Sequence, residues 1–379
     1  MTPPTAHPDV GLYVHIPFCL RKCDYCAFYS EPLDRHDPRP ILDGILRELD
    51  LYASTEPVQT IYLGGGTPTC LPEELLCGFI KALIVRVGKP LEFTVECNPI
   101  GAGTPLFRSL HRCGVNRLSI GAQSFDPVEL KILGRPHTPE AIGQAVAAAR
   151  NAGFDNIGLD LIFGIPGQTV QTFAQSLSKA IKLAPTHLSA YSLTWENETP
   201  LTRALFLGAV QEIDEDDERA MYKQLCQTLS AAGYIQYEIS NFAAPGFACR
   251  HNIRYWRNQP VIGLGPAAAG WYRGQRTANA ADIGAYVERI TQNQFAWQTD
   301  EQPGARQMAS EMAVLGLRMT DGIDLAAFQN ATGKNPKHLF ANAIREHCKN
   351  GLLELTDTHL RLTEKGLSFA DTVSCDFIL

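Results

Sequence analysis

The sequence predicts an α/β protein: a partial (β/α)6 barrel followed by a smaller, mostly helical, winged-helix-like C-terminal domain. Three observations carry this expectation. Short β-type runs alternate with helix-length patterns six times between residue 11 and about residue 232; chemically distinctive stretches follow those runs directly; and the alternation stops near residue 234. Strands alternating with helices of such length imply a parallel sheet covered by helices. An open doubly wound sheet satisfies the alternation equally well, but chemistry gathered at the C-terminal ends of successive strands is the barrel pattern. A full barrel needs eight units, and six leave one side open.

The units follow in order. Residues 12–16 lead to a helix over about 41–52, residues 60–63 to one near 72–87, and residues 92–95 to one near 104–112. Residues 117–120 precede a long helix over roughly 138–152, residues 157–162 one near 169–183, and residues 187–193 one near 214–232. The strand ends run into a loop with Cys19, Cys23 and Cys26, into Gly64-Gly65-Gly66-Thr67-Pro68, Glu96-Cys97-Asn98-Pro99 and Gly121-Ala122-Gln123-Ser124. Asp160 lies just ahead of Gly164-Ile165-Pro166-Gly167, and the sixth strand ends at Thr194-Trp195-Glu196. Two strand-like runs, 352–356 and 360–363, flank Asp357-Thr358-His359 and read as the hairpin of a winged-helix-type domain. The expected organisation is 1–235 barrel, 236–290 connecting segment, and 291–379 C-terminal helical domain.

Composition narrows the function classes. Of 379 residues, 45% are hydrophobic and 19% charged, which is a globular balance. Lys plus Arg total 33 against 40 Asp plus Glu, a net charge of -7, so no basic excess serves a nucleic acid partner. Residues 1–7 lack the charged start and apolar run of a signal peptide, and the apolar stretch 261–271 is too short and too rich in Gly and Pro to span a bilayer. Eleven cysteines, an odd number without a secretion signal, argue against a disulfide framework. The expected location is cytoplasmic, where closely spaced cysteines serve as metal ligands.

Spacings of four and three residues put Cys19, Cys23 and Cys26 on one tight loop. Three such thiolates can hold three irons of a cubane cluster and leave the fourth without a protein ligand. The alternative is a structural zinc held by the same thiolates and His15.

Cys-x3-Cys-x2-Cys after the first strand of an alternating β/α domain resembles the radical S-adenosylmethionine (SAM) superfamily. The resemblance implies a 4Fe-4S cluster whose open iron is chelated by SAM, and a one-electron cleavage of the sulfonium to methionine and a 5′-deoxyadenosyl radical. It narrows to the oxygen-independent coproporphyrinogen III oxidase-like family on Tyr13-Val14-His15-Ile16-Pro17-Phe18-Cys19, Gly64-Gly65-Gly66-Thr67-Pro68-Thr69, the 114–125 run ending in Gln123-Ser124-Phe125, Leu133-Gly134-Arg135, and the 159–168 run from Leu159-Asp160 to Gly167-Gln168. By the family pattern Tyr13, Tyr25, Gly65, Gly66, Thr67, Glu96, Gln123, Arg135 and Asp160 match SAM-contacting positions. Their residue types suit SAM: glycines let backbone approach a ligand, carboxylates accept from hydroxyls or an ammonium, and arginine pairs with a carboxylate.

Two features separate the branches of that family. The oxidases carry a fourth cysteine two residues beyond the third, where this chain reads Cys26-Ala27-Phe28, and a longer arm ahead of the cluster, where this chain has 18 residues. The run Arg250-His251-Asn252-Ile253-Arg254-Tyr255-Trp256 is similar to the His-Asn-x-x-Tyr-Trp motif of the family's heme chaperones. Neutral imidazole from His251 suits heme iron, and Tyr255 and Trp256, with Asn252, offer flat apolar surface and polar edges. A polar turn in which His251 and Asn252 satisfy backbone groups while the aromatics pack is the bland alternative. The resemblance implies a heme chaperone that delivers heme to client heme proteins, with oxygen-independent coproporphyrinogen III oxidase or another radical-SAM tetrapyrrole enzyme as the alternative. The missing fourth cysteine argues against oxidase turnover, and no catalytic residue is nominated. Implied partners are heme, client heme proteins including respiratory enzymes at the membrane, a flavodoxin- or ferredoxin-type electron donor, and a second copy in a homodimer. Ala269 departs from the pattern, which commonly has histidine there, and Cys97 stands where small apolar residues are usual.

Overall fold

Six strands form where apolar residues alternate with polar ones: β1 (Val10–Ile16), β2 (Val58–Gly65), β3 (Glu92–Cys97), β4 (Arg117–Gln123), β5 (Asn156–Phe163) and β6 (His187–Ser192). They pair in parallel in sequence order, a (β/α)6 partial barrel. The crossovers are α1 (Arg39–Tyr52), α2 (Glu73–Val87), α3 (Thr104–Arg112), α4 (Pro127–Ile132), α5 (Pro139–Asn151), α6 (Val170–Lys182), α7 (Pro200–Phe206) and α8 (Glu215–Ala231). The computed structural model describes residues 9–101 and 103–379, so the 1–7 stretch read for a targeting signal lies outside the described residues. The expected strands and long helices fall within three residues of these bounds. Helices α4 and α7 were not expected, because six or seven residues are too few to show a helical period. Each instead begins with proline in its first turn, and Asp126 caps α4 by accepting from Val128 N and Glu129 N.

One face of each strand is apolar and packs under the helices: Leu12, Val14, Leu63, Val95 and Ile120 meet Ile45, Ile80, Phe107 and Ile142 in one continuous core. The other face, one residue out of phase, points into the barrel and is largely polar, with Tyr13, Tyr62, Glu96, Arg117 and Asp160 among its side chains.

Residues 235–301, beyond the sixfold alternation, extend this sheet on both flanks, so its last strand lies past the expected boundary at 291. β7 (Ile235–Glu238) and β8 (Asn241–Ala243) add antiparallel strands beside β6. After the short helix α9 (Arg250–Trp256), β9 (Val261–Leu264) pairs in parallel with β1 on its free side. β10 (Ala269–Tyr272), β11 (Gln275–Asn279) and β12 (Trp297–Glu301) continue it antiparallel, with α10 (Ile283–Thr291) between the last two. Glu48 of α1 holds this flank in place. Its buried carboxylate accepts from Gly265 N (2.8 Å), Asn279 Nδ2 (2.6 Å) and Tyr286 OH (2.8 Å), and burial still pushes its pKa up to about 7.

Beyond Glu301 the chain is helical around a second core that includes Leu317, Phe328, Phe340, Leu360 and Phe377. A small sheet crosses it, β13 (Ile323–Asp324) beside β15 (His359–Leu362), with β14 (Leu353–Leu355) on the other edge. The last two are the hairpin expected around Asp357. Among the described residues no helix is long and apolar enough to cross a membrane.

Candidate functional site

At the mouth of the barrel the chain leaves β1 into a loop tied down along its length. Phe18–Cys19 pairs in parallel with Glu31–Pro32, and Thr67 N donates to Phe18 O at 2.7 Å. Asp24 is pinned through its backbone, donating to Leu133 O at 3.1 Å and accepting from Leu201 N at 2.8 Å. Cys19 and Cys26 are half-buried and Cys23 buried, all as free thiols. Arg135 Nη1 donates to Cys23 Sγ at 3.2 Å, and Cys19 Sγ lies 3.7 Å from Thr67 Oγ1. Burial pushes the Cys26 thiol up to about 11, and the Cys23 and Cys19 sulfurs add to the effect. Iron takes such sulfurs as thiolates and so relieves their mutual repulsion.

The zinc alternative fails at His15. Tyr29 O can only accept, so His15 Nε2 donates to it at 2.8 Å, and Nδ1 accepts from Tyr13 OH at 3.0 Å. Neither nitrogen is free to ligate. Among the described residues no three His, Cys, Asp or Glu side chains converge as ligands of one ion. Three thiols spread along one loop suit the corners of a larger cluster.

Beside this loop, β2 ends in a cradle that only glycine can form. Gly65 has φ +94°, and a Cβ there would collide with the His15 ring; at Gly66 it would collide with Phe18 O. The neighbouring strands bring Glu96, Gln123 and Asp160 to the same rim, and the loop after α4 brings Arg135. Gln123 takes a positive φ of 63° where a bulge shifts the β4–β5 register. A bulge re-aims a side chain, and non-glycine strain of this kind clusters at ligand sites. Arg135 also donates to Gly121 O at 2.7 Å, while its Nε is buried without a partner. Ser119 Oγ holds Asp160 at 3.1 and 3.2 Å, and Tyr62 OH donates to Glu96 Oε1 at 2.7 Å. Burial pushes Glu96 up to about 7, with the Asp160 charge adding to it. Two half-buried carboxylates on a rim of bare backbone fit a ligand that brings an ammonium and hydroxyls, as SAM does.

The His-Asn-x-x-Tyr-Trp segment lies at the opposite end. It is not a turn but helix α9, whose first amides are capped by Glu92: His251 N donates to Oε1 and Arg250 N to Oε2, both at 2.9 Å. The helix closes the barrel floor, locked by Arg254 to Asp9 Oδ1 at 2.6 Å and, on its far side, by Arg318 stacked 4.6 Å over Trp256. His251 is 1% exposed, with Nδ1 2.9 Å from Thr60 Oγ1 and Nε2 unpartnered. Burial pulls its pKa down to about 3, so the imidazole is neutral. That donor suits heme iron, but its present packing between Tyr62 and Tyr255 does not admit a porphyrin. Asn252, Tyr255 and Trp256 are half-buried on the same helix.

Cys97, Ala269 and three histidines that no motif nominates take ordinary places in the fold. Cys97 donates to Ser119 O at 3.5 Å within the core. His187 Nε2 meets Tyr237 OH at 2.8 Å near the floor, His137 Nε2 meets Ala122 O at 3.0 Å, and His111 packs on Phe154. Ala269 is exposed at the start of β10. Sequence reasoning missed Tyr62, Arg117 and Tyr191. All three lie on the inward parity of their strands, and Tyr191 is 41% exposed at the open end of β6. Counting alternate positions from Thr60, Ser119 and Ser189 would have found them.

Residues 13–180 match the family model of the radical SAM superfamily, and residues 305–369 that of the HemN C-terminal domain. The chain is 34% identical over 378 residues to the heme chaperone HemW of Bacillus subtilis, covering 97% of this chain and 98% of that one. It is 39% identical over 273 residues to the heme chaperone HemW of Escherichia coli, covering 69% and 70%. Among solved structures it is similar to the coproporphyrinogen III oxidase of Escherichia coli, with a TM-score of 0.85 over 99% of this chain and 91% of that one. At 21% identity that likeness speaks for the fold alone.

Proposed function

The chain belongs to the heme chaperone HemW family of the radical SAM superfamily, and from that membership we propose a heme chaperone that binds a 4Fe-4S cluster and SAM and delivers heme to client heme proteins. The observation that carries this reading is identity along essentially the whole chain, barrel and C-terminal domain alike. Cys19, Cys23 and Cys26 are the proposed cluster ligands. Glu96 and Asp160 are the acceptors for SAM's ammonium and ribose, Gly65, Gly66 and Thr67 form its backbone cradle, and Tyr13, Tyr25, Gln123 and Arg135 complete the pocket. The cluster and SAM, when bound, would supply one-electron chemistry, and the chain would hold them with these side chains and the glycine backbone. His251 is the proposed heme ligand, with Asn252, Tyr255 and Trp256 around it, and α9 must shift from the floor for heme to reach it. Oxidase turnover is not part of the reading, because Phe28 stands where the oxidases have their fourth cysteine.

A flavodoxin- or ferredoxin-type donor would meet the outer face of the cysteine loop, where Leu20, Arg21, Lys22 and Phe28 are exposed. Cytoplasmic residence, a homodimeric carrier and respiratory clients at the membrane belong to the same proposal. Anaerobic heme titration of the cluster-loaded protein, followed by visible absorption, tests it. Wild type is expected to bind one heme, pass it to an apo client and form no vinyl product from coproporphyrinogen III. Failure to bind heme, or turnover of the porphyrinogen, would overturn the reading.

A further inference from the structure

The proposed heme ligand and the proposed SAM pocket sit at opposite ends of the barrel, yet one unbroken column of side chains joins them. Thr60 Oγ1 holds His251 Nδ1 at 2.9 Å. The imidazole lies on the Tyr62 ring, centroids 5.3 Å apart and planes 29° from parallel, and Tyr255 closes on it edge-on at 5.3 Å and 81°. Tyr62 OH then donates to Glu96 Oε1 at 2.7 Å. The other oxygen of Glu96 rests against Gly64, where an added Cβ would approach Oε2 to 2.7 Å. Each member is located by the next, from the floor helix to the carboxylate on the rim.

His251 Nε2 has no partner, and the ring carrying it has almost no contact with solvent. A porphyrin is far larger than the space an imidazole fills, so bringing Nε2 onto heme iron requires the ring to leave Tyr62. The tyrosine then loses the surface that fixes its plane, and Glu96 loses a donor of fixed direction.

We infer that His251 is a positioning residue for the SAM pocket, acting through Tyr62 on Glu96, and that heme ligation by His251 and SAM binding at Glu96 therefore oppose each other. SAM favours the packed column and heme favours the released one, and linkage makes the two effects equal in size. In a carrier this is a release device: filling the mouth with SAM lowers the hold on heme at the floor. The opposition rests on the assignment of His251 as heme ligand, whereas the positioning role stands on the column alone.

The test uses the full-length, cluster-loaded protein under anaerobic conditions. Heme affinity is measured by visible absorption with and without saturating SAM, and SAM affinity by equilibrium dialysis with and without heme. Wild type is expected to bind heme about tenfold more weakly when SAM is present, and SAM more weakly by the same factor when heme is present. In Tyr62→Phe the ring stays over His251 but the bond to Glu96 is gone, so both ligands still bind and the factor falls to about one. With no heme present, His251→Gln is expected to weaken SAM several-fold, an effect that a heme ligand without a positioning role does not produce. Heme affinity indifferent to SAM, while His251→Ala still lowers it, would overturn the opposition. SAM affinity unchanged in both His251→Gln and Tyr62→Phe would overturn the positioning role, and Tyr62→Phe decides it alone if the histidine variants do not fold. Equal heme binding by wild type and His251→Ala would overturn the ligand assignment, and the opposition with it, leaving the positioning role to stand or fall on the SAM measurement.

Discussion

The two ends of the barrel are built from the same strands and to opposite rules. At the mouth the strands run out into glycine, bulge and cysteine loop, and Arg135 Nε is left without a protein partner. At the floor a helix is drawn across the opening, and Glu92, Thr60, Arg254 and Asp9 pair with it. The mouth keeps its polar groups underused for ligands to satisfy, and the floor uses its polar groups to hold the fold. His251 Nε2 is one of several buried nitrogens there without a partner, with Trp256 Nε1 on the same helix and His187 Nδ1 nearby. What sets His251 apart from the other packed histidines is its place against Tyr62, whose hydroxyl reaches Glu96.

Substitutions should separate the two ends by what they damage. The largest effect belongs to the mouth: Cys26→Ala is expected to lose essentially all bound iron and sulfide, checked by chemical analysis after reconstitution, while far-UV circular dichroism stays unchanged. Glu96→Gln comes next, with SAM affinity down on the order of a hundredfold at pH 8, since a charge-assisted partner of the ammonium is lost from a dry site. The pH dependence sharpens this. Burial raises Glu96 to about 7, so its carboxyl is protonated below that pH and must shed a proton to meet an ammonium. SAM affinity in wild type should therefore rise as pH climbs from 6 to 8, and in Glu96→Gln it should stay flat.

At the floor, Glu92→Gln should reverse the pattern. Iron content stays normal, but urea unfolding shows a loss of about 2 kcal/mol, because an amide cannot accept from the Arg250 and His251 amides with both ends. If SAM affinity fell as far in Glu92→Gln as in Glu96→Gln, the division between the ends would be wrong. A separate, pH-dependent effect concerns Glu48, away from both ends. Its pKa is raised to about 7, so the stability it contributes is fully present below the unfolded value near 4.5 and is lost as pH rises through 7. Glu48→Gln should gain on wild type between pH 5 and 8, by up to about 3 kcal/mol, in the difference between their urea-unfolding curves.

The mouth was far more legible in the sequence than the floor. Cysteine spacing, the glycine run and the acidic strand ends are local signals, and each lies within a few residues of the group it positions. Residues 250–256 carry a motif but no readable element: seven residues do not make a period, and the cap that starts the helix is Glu92, about 160 positions away. Strand β9 was hidden for a related reason. Its four residues, Val261 to Leu264, are buried on both faces and so show no alternation. Tyr62 was passed over because a tyrosine in a strand reads as packing until the sheet shows which face it is on.

Strand β9 has one more consequence, for the order in which the molecule can be completed. β1 is made first, yet it lies inside the sheet, and the neighbour on its second side is encoded about 250 residues later. Gly265, at the end of that neighbour, is pressed so close to the backbone of β1 that a Cβ there would come within 2.5 Å of His15 O. Until residue 265 has been synthesised, the strand that carries the cysteine loop is an edge with a row of open backbone groups. A nascent or truncated chain ending before Val261 therefore leaves β1 as an open sheet edge, which makes it the molecule's most adhesive form.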